Sequence, residues 1–213
     1  MADDYYDVLD DLNYPPGSKR VAYSRKRHFP QEIELPARWY LGAPLSTDPD
    51  ESFRCEEFAM GIRQAVHGAL TVEIDYDGVP LDFTFAGVGA TVVNAKTADT
   101  FRRLSPSDVQ LIPTAVENQR DPYFILNAIR LIDCIDHKRS VIQYWPEDDK
   151  ERPEKAGKPR MVVELRLDRA AIPEGVQVFR IQDWTPPLII SETIKDELER
   201  HGTTGIKFQC VTR

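Results

Sequence analysis

The strongest constraint in this 213-residue chain is a strict alternation over residues 70–85. Leu70, Val72, Ile74 and Tyr76 alternate with polar residues; Asp77-Gly78 follows; Val79, Leu81, Phe83 and Phe85 then alternate again. A period of two places every second side chain on one face of a strand, so both halves read as β-strands. Asp-Gly is a favoured pair for a two-residue type I′ turn, because both central positions need positive φ. The pattern predicts an antiparallel hairpin pairing Tyr76 with Val79, Ile74 with Leu81, Val72 with Phe83 and Leu70 with Phe85. On its outer face Glu73 would sit opposite Asp82, two like charges that repel. Either solvent screens them or a basic partner lands there.

Asp121-Pro122 reads as a helix start, since Asp caps free amides and Pro suits the first turn. Phe124, Ile125, Ala128, Ile129, Leu131, Ile132 and Ile135 then predict a largely buried helix over 121–136, with Cys134 inside. Its polar positions are Asn127, Arg130, Asp133 and Asp136, and Arg130 and Asp133 are spaced to pair. Residues 147–160 are charged and carry Pro and Gly, a surface loop. Residues 161–167 and 176–181 read as strands. A pattern recurs at an offset of 97: Val92-Val93-Asn94 through Val109 and Leu111, then Ile189-Ile190-Ser191 through Ile206 and Phe208. Each reads as strand, Asn or Ser helix cap, short helix, second strand. The expected fold is α+β, a mixed and antiparallel sheet with packed helices and two similar strand-helix-strand units. Pro15, Pro16, Gly17, Pro30, Pro36, Pro44 and Pro49 interrupt residues 1–50, so that segment is expected to be irregular but packed on the body through its aromatics. Residues 51–213 would form the α+β domain, continuous with it as one unit.

The formal net charge is -8. Residues 39–88 carry nine acidic side chains against two basic ones, whereas residues 17–38 carry six basic against two acidic. An acidic chain is a poor direct ligand for nucleic acid and suits a basic partner. The acidic stretch is either a solvated face or a docking surface. The N-terminus lacks the basic and apolar regions of a signal peptide, and no apolar run approaches the ~18 residues of a membrane span. The expected setting is cytoplasmic, with no membrane. Three widely spaced cysteines, Cys55, Cys134 and Cys210, are expected to be reduced thiols.

Catalytic patterns are not evident. The four histidines are scattered, so no metal site and no cofactor are expected. Gly87-Val88-Gly89 lacks the third glycine of a dinucleotide fingerprint, and Ser140 has no nucleophile-elbow glycines. Asp133 and Asp136 could share a proton on one helical face, but no third group accompanies them. From its residues the chain reads as non-enzymatic.

Three stretches carry a resemblance. They are Leu35-Pro36-Ala37-Arg38-Trp39-Tyr40-Leu41-Gly42-Ala43-Pro44; Ile125-Leu126-Asn127-Ala128-Ile129-Arg130-Leu131-Ile132-Asp133-Cys134-Ile135-Asp136, closed by Ser140; and Phe179-Arg180-Ile181 with Trp184, Pro187 to Glu192 and Thr204 to Phe208. Together, over about residues 35–210, they resemble the bacterial polymorphic-toxin immunity proteins of immunity family eleven, formerly a domain of unknown function with Myxococcus members. The resemblance implies a cytoplasmic protein that binds and blocks a cognate toxin without catalysis, the toxin being a secretion-system or contact-dependent effector from a neighbouring gene. It offers no catalytic residues. Trp39, Asn127, Arg130, Asp133, Asp136, Trp184 and Ser191 would be structural. The expected toxin-facing residues are Glu73, Asp75 and Asp82, with Glu56 and Glu57 alongside. The alternatives are an adaptor with another protein partner, or an enzyme using Asp133 and Asp136.

Overall fold

The architecture is mixed α+β and dominated by strands. The computed structural model describes residues 3–17, 19–23 and 32–213; the basic Arg25, Lys26 and Arg27 lie outside them. In chain order the strands are β1 (Tyr5–Asp10), β2 (Lys19–Tyr23), β3 (Glu32–Pro36), β4 (Tyr40–Ser46), β5 (Leu70–Tyr76), β6 (Phe83–Ala86), β7 (Ala90–Asn94), β8 (Val109–Val116), β9 (Tyr123–Ala128), β10 (Leu131–Ile132), β11 (Val141–Tyr144), β12 (Pro159–Glu164), β13 (Val178–Ile181), β14 (Trp184–Ser191) and β15 (Ile206–Cys210). Two α-helices occur among the described residues, α1 (Ala95–Leu104) after β7 and α2 (Glu192–Arg200) after β14. The side chains of Asn94 and Ser191 accept the amides of Thr97 and Ile194 and so cap them.

Six strands close a barrel in the order β4-β5-β8-β9-β7-β6. Alternation fills it: Leu41, Leu70, Val72, Ile74, Val92, Ile112 and Ile125 point inward with Trp39, joined by Phe58 from the 3₁₀ turn Cys55–Ala59. A second sheet runs β10-β13-β14-β1-β15. Between barrel and sheet lies a core of Phe83, Phe101, Leu126, Val178, Ile190 and Leu198, to which both helices contribute. The other face of the second sheet carries Tyr5, Cys134, Leu167, Phe179 and Ile189. A separate two-stranded ribbon, β11–β12, lays Ile142 and Val162 on that third core. Each fully buried Leu, Ile or Phe contributes ~1.5–3 kcal/mol.

The hairpin over 70–85 is not formed. β5 pairs with β4 and β8, while β6 pairs with β7 and β4, so β4 stands between them. Leu70, Val72 and Ile74 fill the barrel, and Leu81 of the second half joins them, whereas Phe83 points out of it. Neither Asp77 nor Gly78 has the positive φ of a type I′ turn. Gly78 instead lies against the Arg38 backbone, where an added Cβ would stand 2.3 Å from the carbonyl. The flanking Val79 amide donates to the Ala37 carbonyl at 2.8 Å, and the Val79 carbonyl accepts from the Trp39 amide at 3.1 Å. Glu73 therefore does not face Asp82.

The helix over 121–136 is likewise replaced, by strands β9 and β10. In β9, Tyr123 and Ile125 enter the barrel while Phe124 and Leu126 enter the core outside it. Burial on both faces gives a continuous apolar run, which periodicity alone does not separate from a buried helix. Arg130 and Asp133, no longer one helical turn apart, do not pair; Arg130 Nε donates to Asp108 Oδ1 at 3.2 Å.

The described residues among the first 50 are largely regular, not irregular. They supply β1, β2, β3 and β4, and β1 lies inside the second sheet between β14 and β15. The prolines stand where strands tolerate them: Pro15 and Pro16 between strands, Pro36 at the end of β3, Pro44 at a register shift in β4 and Pro49 in a turn.

Candidate functional site

Of the five acidic residues expected to face a partner, Glu73 is exposed and Asp75 half-buried, both on the outward face of β5. Close by, Glu117 follows β8, and its Oε2 accepts the Ile74 amide at 3.0 Å. Glu56 is exposed and Glu57 half-buried on the 3₁₀ turn, where Glu57 pairs with Arg54 at 3.2 Å. That turn packs on β7 and β9. Around the six-stranded barrel β7 lies three strands from β5 and β9 two, so the two acidic pairs are carried by different elements.

Asp82 is an internal joint. Its Oδ1 accepts Asn94 Nδ2 at 2.5 Å, and its Oδ2 accepts the amide and hydroxyl of Thr204, each at 2.9 Å. Beside it Gly205 has φ +95°, and an added Cβ would stand 2.2 Å from the Phe83 carbonyl oxygen. Only glycine meets both conditions there. Asp82 thus ties the barrel and the α1 cap to the loop before β15.

The other motif residues sit as follows. Trp39 is wholly buried and donates Nε1–H to Thr84 Oγ1 at 2.8 Å. Buried Asn127 donates Nδ2–H to the Ile62 carbonyl at 2.8 Å and to Gln110 at 3.1 Å. Asp136 Oδ1 accepts the amides of Lys138 and Arg139 and shapes the turn before β11. Ser191 caps α2 and donates to Gln177 at 2.5 Å. Trp184 packs on the third core. Asp133 is exposed, and with the helix gone it and Asp136 no longer share a helical face.

Two buried charges, Asp108 and Asp7, had no signal in the sequence. Asp108 is 2% exposed; besides Arg130 it accepts the amides of Gln177 at 2.7 Å and Val178 at 3.3 Å, linking barrel to sheet. Asp7 on β1 and the wholly buried Arg180 on β13 bring opposite charges into the second sheet. Burial raises the Asp7 carboxyl to about 7, against the pull of Arg180, and lowers the Arg180 guanidinium to about 10. Burial also pushes the Cys134 thiol up to about 12.

Among the described residues, no group of three or more His, Cys, Asp or Glu could hold a metal ion, and no helix is long and apolar enough to cross a membrane. What the geometry offers is a rigid strand-built body with polar joints inside and charged and apolar surfaces outside.

Residues 41–213 match the model of the immunity protein family Imm11, and the chain belongs to that family. Membership implies a toxin-neutralising immunity role. Among curated proteins, none matches the chain.

Proposed function

We propose that this protein neutralises a cognate bacterial toxin by binding it in the cytoplasm, without catalysis. The observation that carries the reading is the family match over residues 41–213. The toxin is an effector encoded by a neighbouring gene, and its basic surface meets acidic side chains here. The exposed positions of Glu73 and Glu56, and the half-buried Asp75 and Glu57, support that second statement. Opposite charge would speed encounter more than it deepens affinity. Asp82, fully engaged at its joint, supports the surface rather than facing the toxin. The net charge of -8 argues against nucleic acid as direct ligand.

The same reading takes residues 92–111 and 189–208 as two copies of one strand-helix-strand unit. In its favour, β7 and β8 both run antiparallel to β9, and β14 and β15 both run antiparallel to β1.

Co-expression with the product of the adjacent gene tests the function. Growth should be rescued and the two proteins should co-purify. Continued killing with no complex would sink the proposal.

A further inference from the structure

Strand β15 closes the second sheet on one side only. β1 pairs with it in unbroken antiparallel register, from Tyr6 with Cys210 to Asp10 with Ile206, and its other side is the edge of the sheet. Two flanking hydrogen bonds fix the phase of the ladder. The Asp11 amide donates to the Gly205 carbonyl at 3.0 Å, and the Val211 amide donates to the Tyr5 carbonyl at 3.0 Å. In an antiparallel pair, hydrogen-bonded positions alternate with open ones. Lys207 and Gln209 are therefore bonded to β1, while the amides and carbonyls of Ile206, Phe208 and Cys210 point away from it. Among the described residues, no strand meets them there.

Sheet edges are usually blunted by a proline, a bulge or an uncompensated charge. β15 has no proline and no register shift, and its one charge, Lys207, is paired with Asp11 at 2.9 Å. The opposite edge of the sheet, β10, is only two residues long.

The open side of β15 is complementary to itself. A second β15, antiparallel about a twofold axis at Phe208, sets Phe208 against Phe208 and Ile206 against Cys210 on either side. These are the residues whose backbone groups point outward, so each outward amide meets a carbonyl. Between them, each exposed Lys207 faces the exposed Gln209 of the other copy, and no like charges stand opposite. Phe208 also lines a cleft of about 660 Å³ beside α2, together with Tyr14, Lys195 and Ile206. Phe208 of the second copy lies on the same face and narrows that cleft with a cross-strand aromatic pair.

We infer that β15 pairs with β15 of a second copy, joining two five-stranded sheets into one continuous sheet. The inference is independent of the toxin-binding reading.

Sedimentation equilibrium of the full chain reads the dimer Kd. Gln209→Lys sets a cation opposite each Lys207 and should raise Kd about tenfold, whereas Gln209→Glu sets an acid there and should lower it about threefold. Position 209 is exposed, so circular dichroism should be unchanged in both variants. Hydrogen exchange reads the register. The amides of Ile206, Phe208 and Cys210 should gain protection as concentration rises, while those of Lys207 and Gln209 stay protected throughout. A wild type that remains monomeric up to about 1 mM overturns the inference. So does a dimer on which both variants act alike, or in which those three amides stay unprotected. Absent self-association together with toxin binding weakened by Gln209→Lys would give the edge to the toxin and overturn it as well.

Discussion

The carboxylate of Asp82 accepts both the backbone amide and the hydroxyl of Thr204, each at 2.9 Å, while the Asp82 amide donates to the Thr204 hydroxyl at 3.0 Å. Residues 122 positions apart are thereby clamped together, and Asn94 joins the clamp. This joint holds barrel, helix cap and second sheet in one register.

Asp82→Ala should therefore cost ~2–3 kcal/mol, since several charge-assisted hydrogen bonds go at once. Thermal unfolding measures the loss. Toxin association per folded molecule should be unchanged; a slower association at equal stability would return Asp82 to the interface.

Stability should depend on pH through Asp7. Its carboxyl is raised from 3.8 to about 7 in the folded state, so folding binds a proton more tightly than the unfolded chain does. The stability contributed by this group is fully present below about pH 4 and is lost as pH rises through about 7. Asp7→Asn removes that dependence. The stability of the variant minus that of wild type should rise between pH 4 and 8, on the order of 3 kcal/mol. Urea unfolding of both proteins at several pH values checks the slope; parallel curves would place the Asp7 charge in water.

The thiols should separate by burial. Cys134 is 2% exposed with its thiol raised to about 12, whereas Cys210 is half-buried at the sheet edge. A thiol reagent at pH 8 should modify Cys210 first and Cys134 only as the protein unfolds. Fast native labelling of Cys134 would contradict the third core.

Two aspartates should behave oppositely. Asp133 is exposed, so Asp133→Asn should change stability by no more than ~0.5 kcal/mol. Asp108→Ala strips partners from Arg130 and two amides and should cost ~3 kcal/mol or more. Equal effects would mean the barrel–sheet joint is misassigned.

These contrasts mark what was legible in the sequence. The alternation at Leu70, Val72 and Ile74 and the caps Asn94 and Ser191 are local patterns, and they appear as strand β5 and the starts of α1 and α2. Strand partners are not local: β5 and β6, close in sequence, are separated by β4. β9 reads as a helix from sequence because a strand buried on both faces loses its alternation. Asp108 and Asp7 carry no motif, since a lone acid looks the same whether it is solvated or buried. Of the candidate site, the acidic character of residues 39–88 was legible, but whether a given acid points outward or into a joint depends on distant residues such as Thr204.

The most direct test of neutralisation by binding is a titration of purified toxin activity with this protein. Inhibition should be stoichiometric and saturate as a stable complex forms, with both chains recovered intact by gel filtration and mass spectrometry. Neutralisation of excess toxin by a small molar fraction of the protein, progressing with time and leaving no complex, would contradict the account.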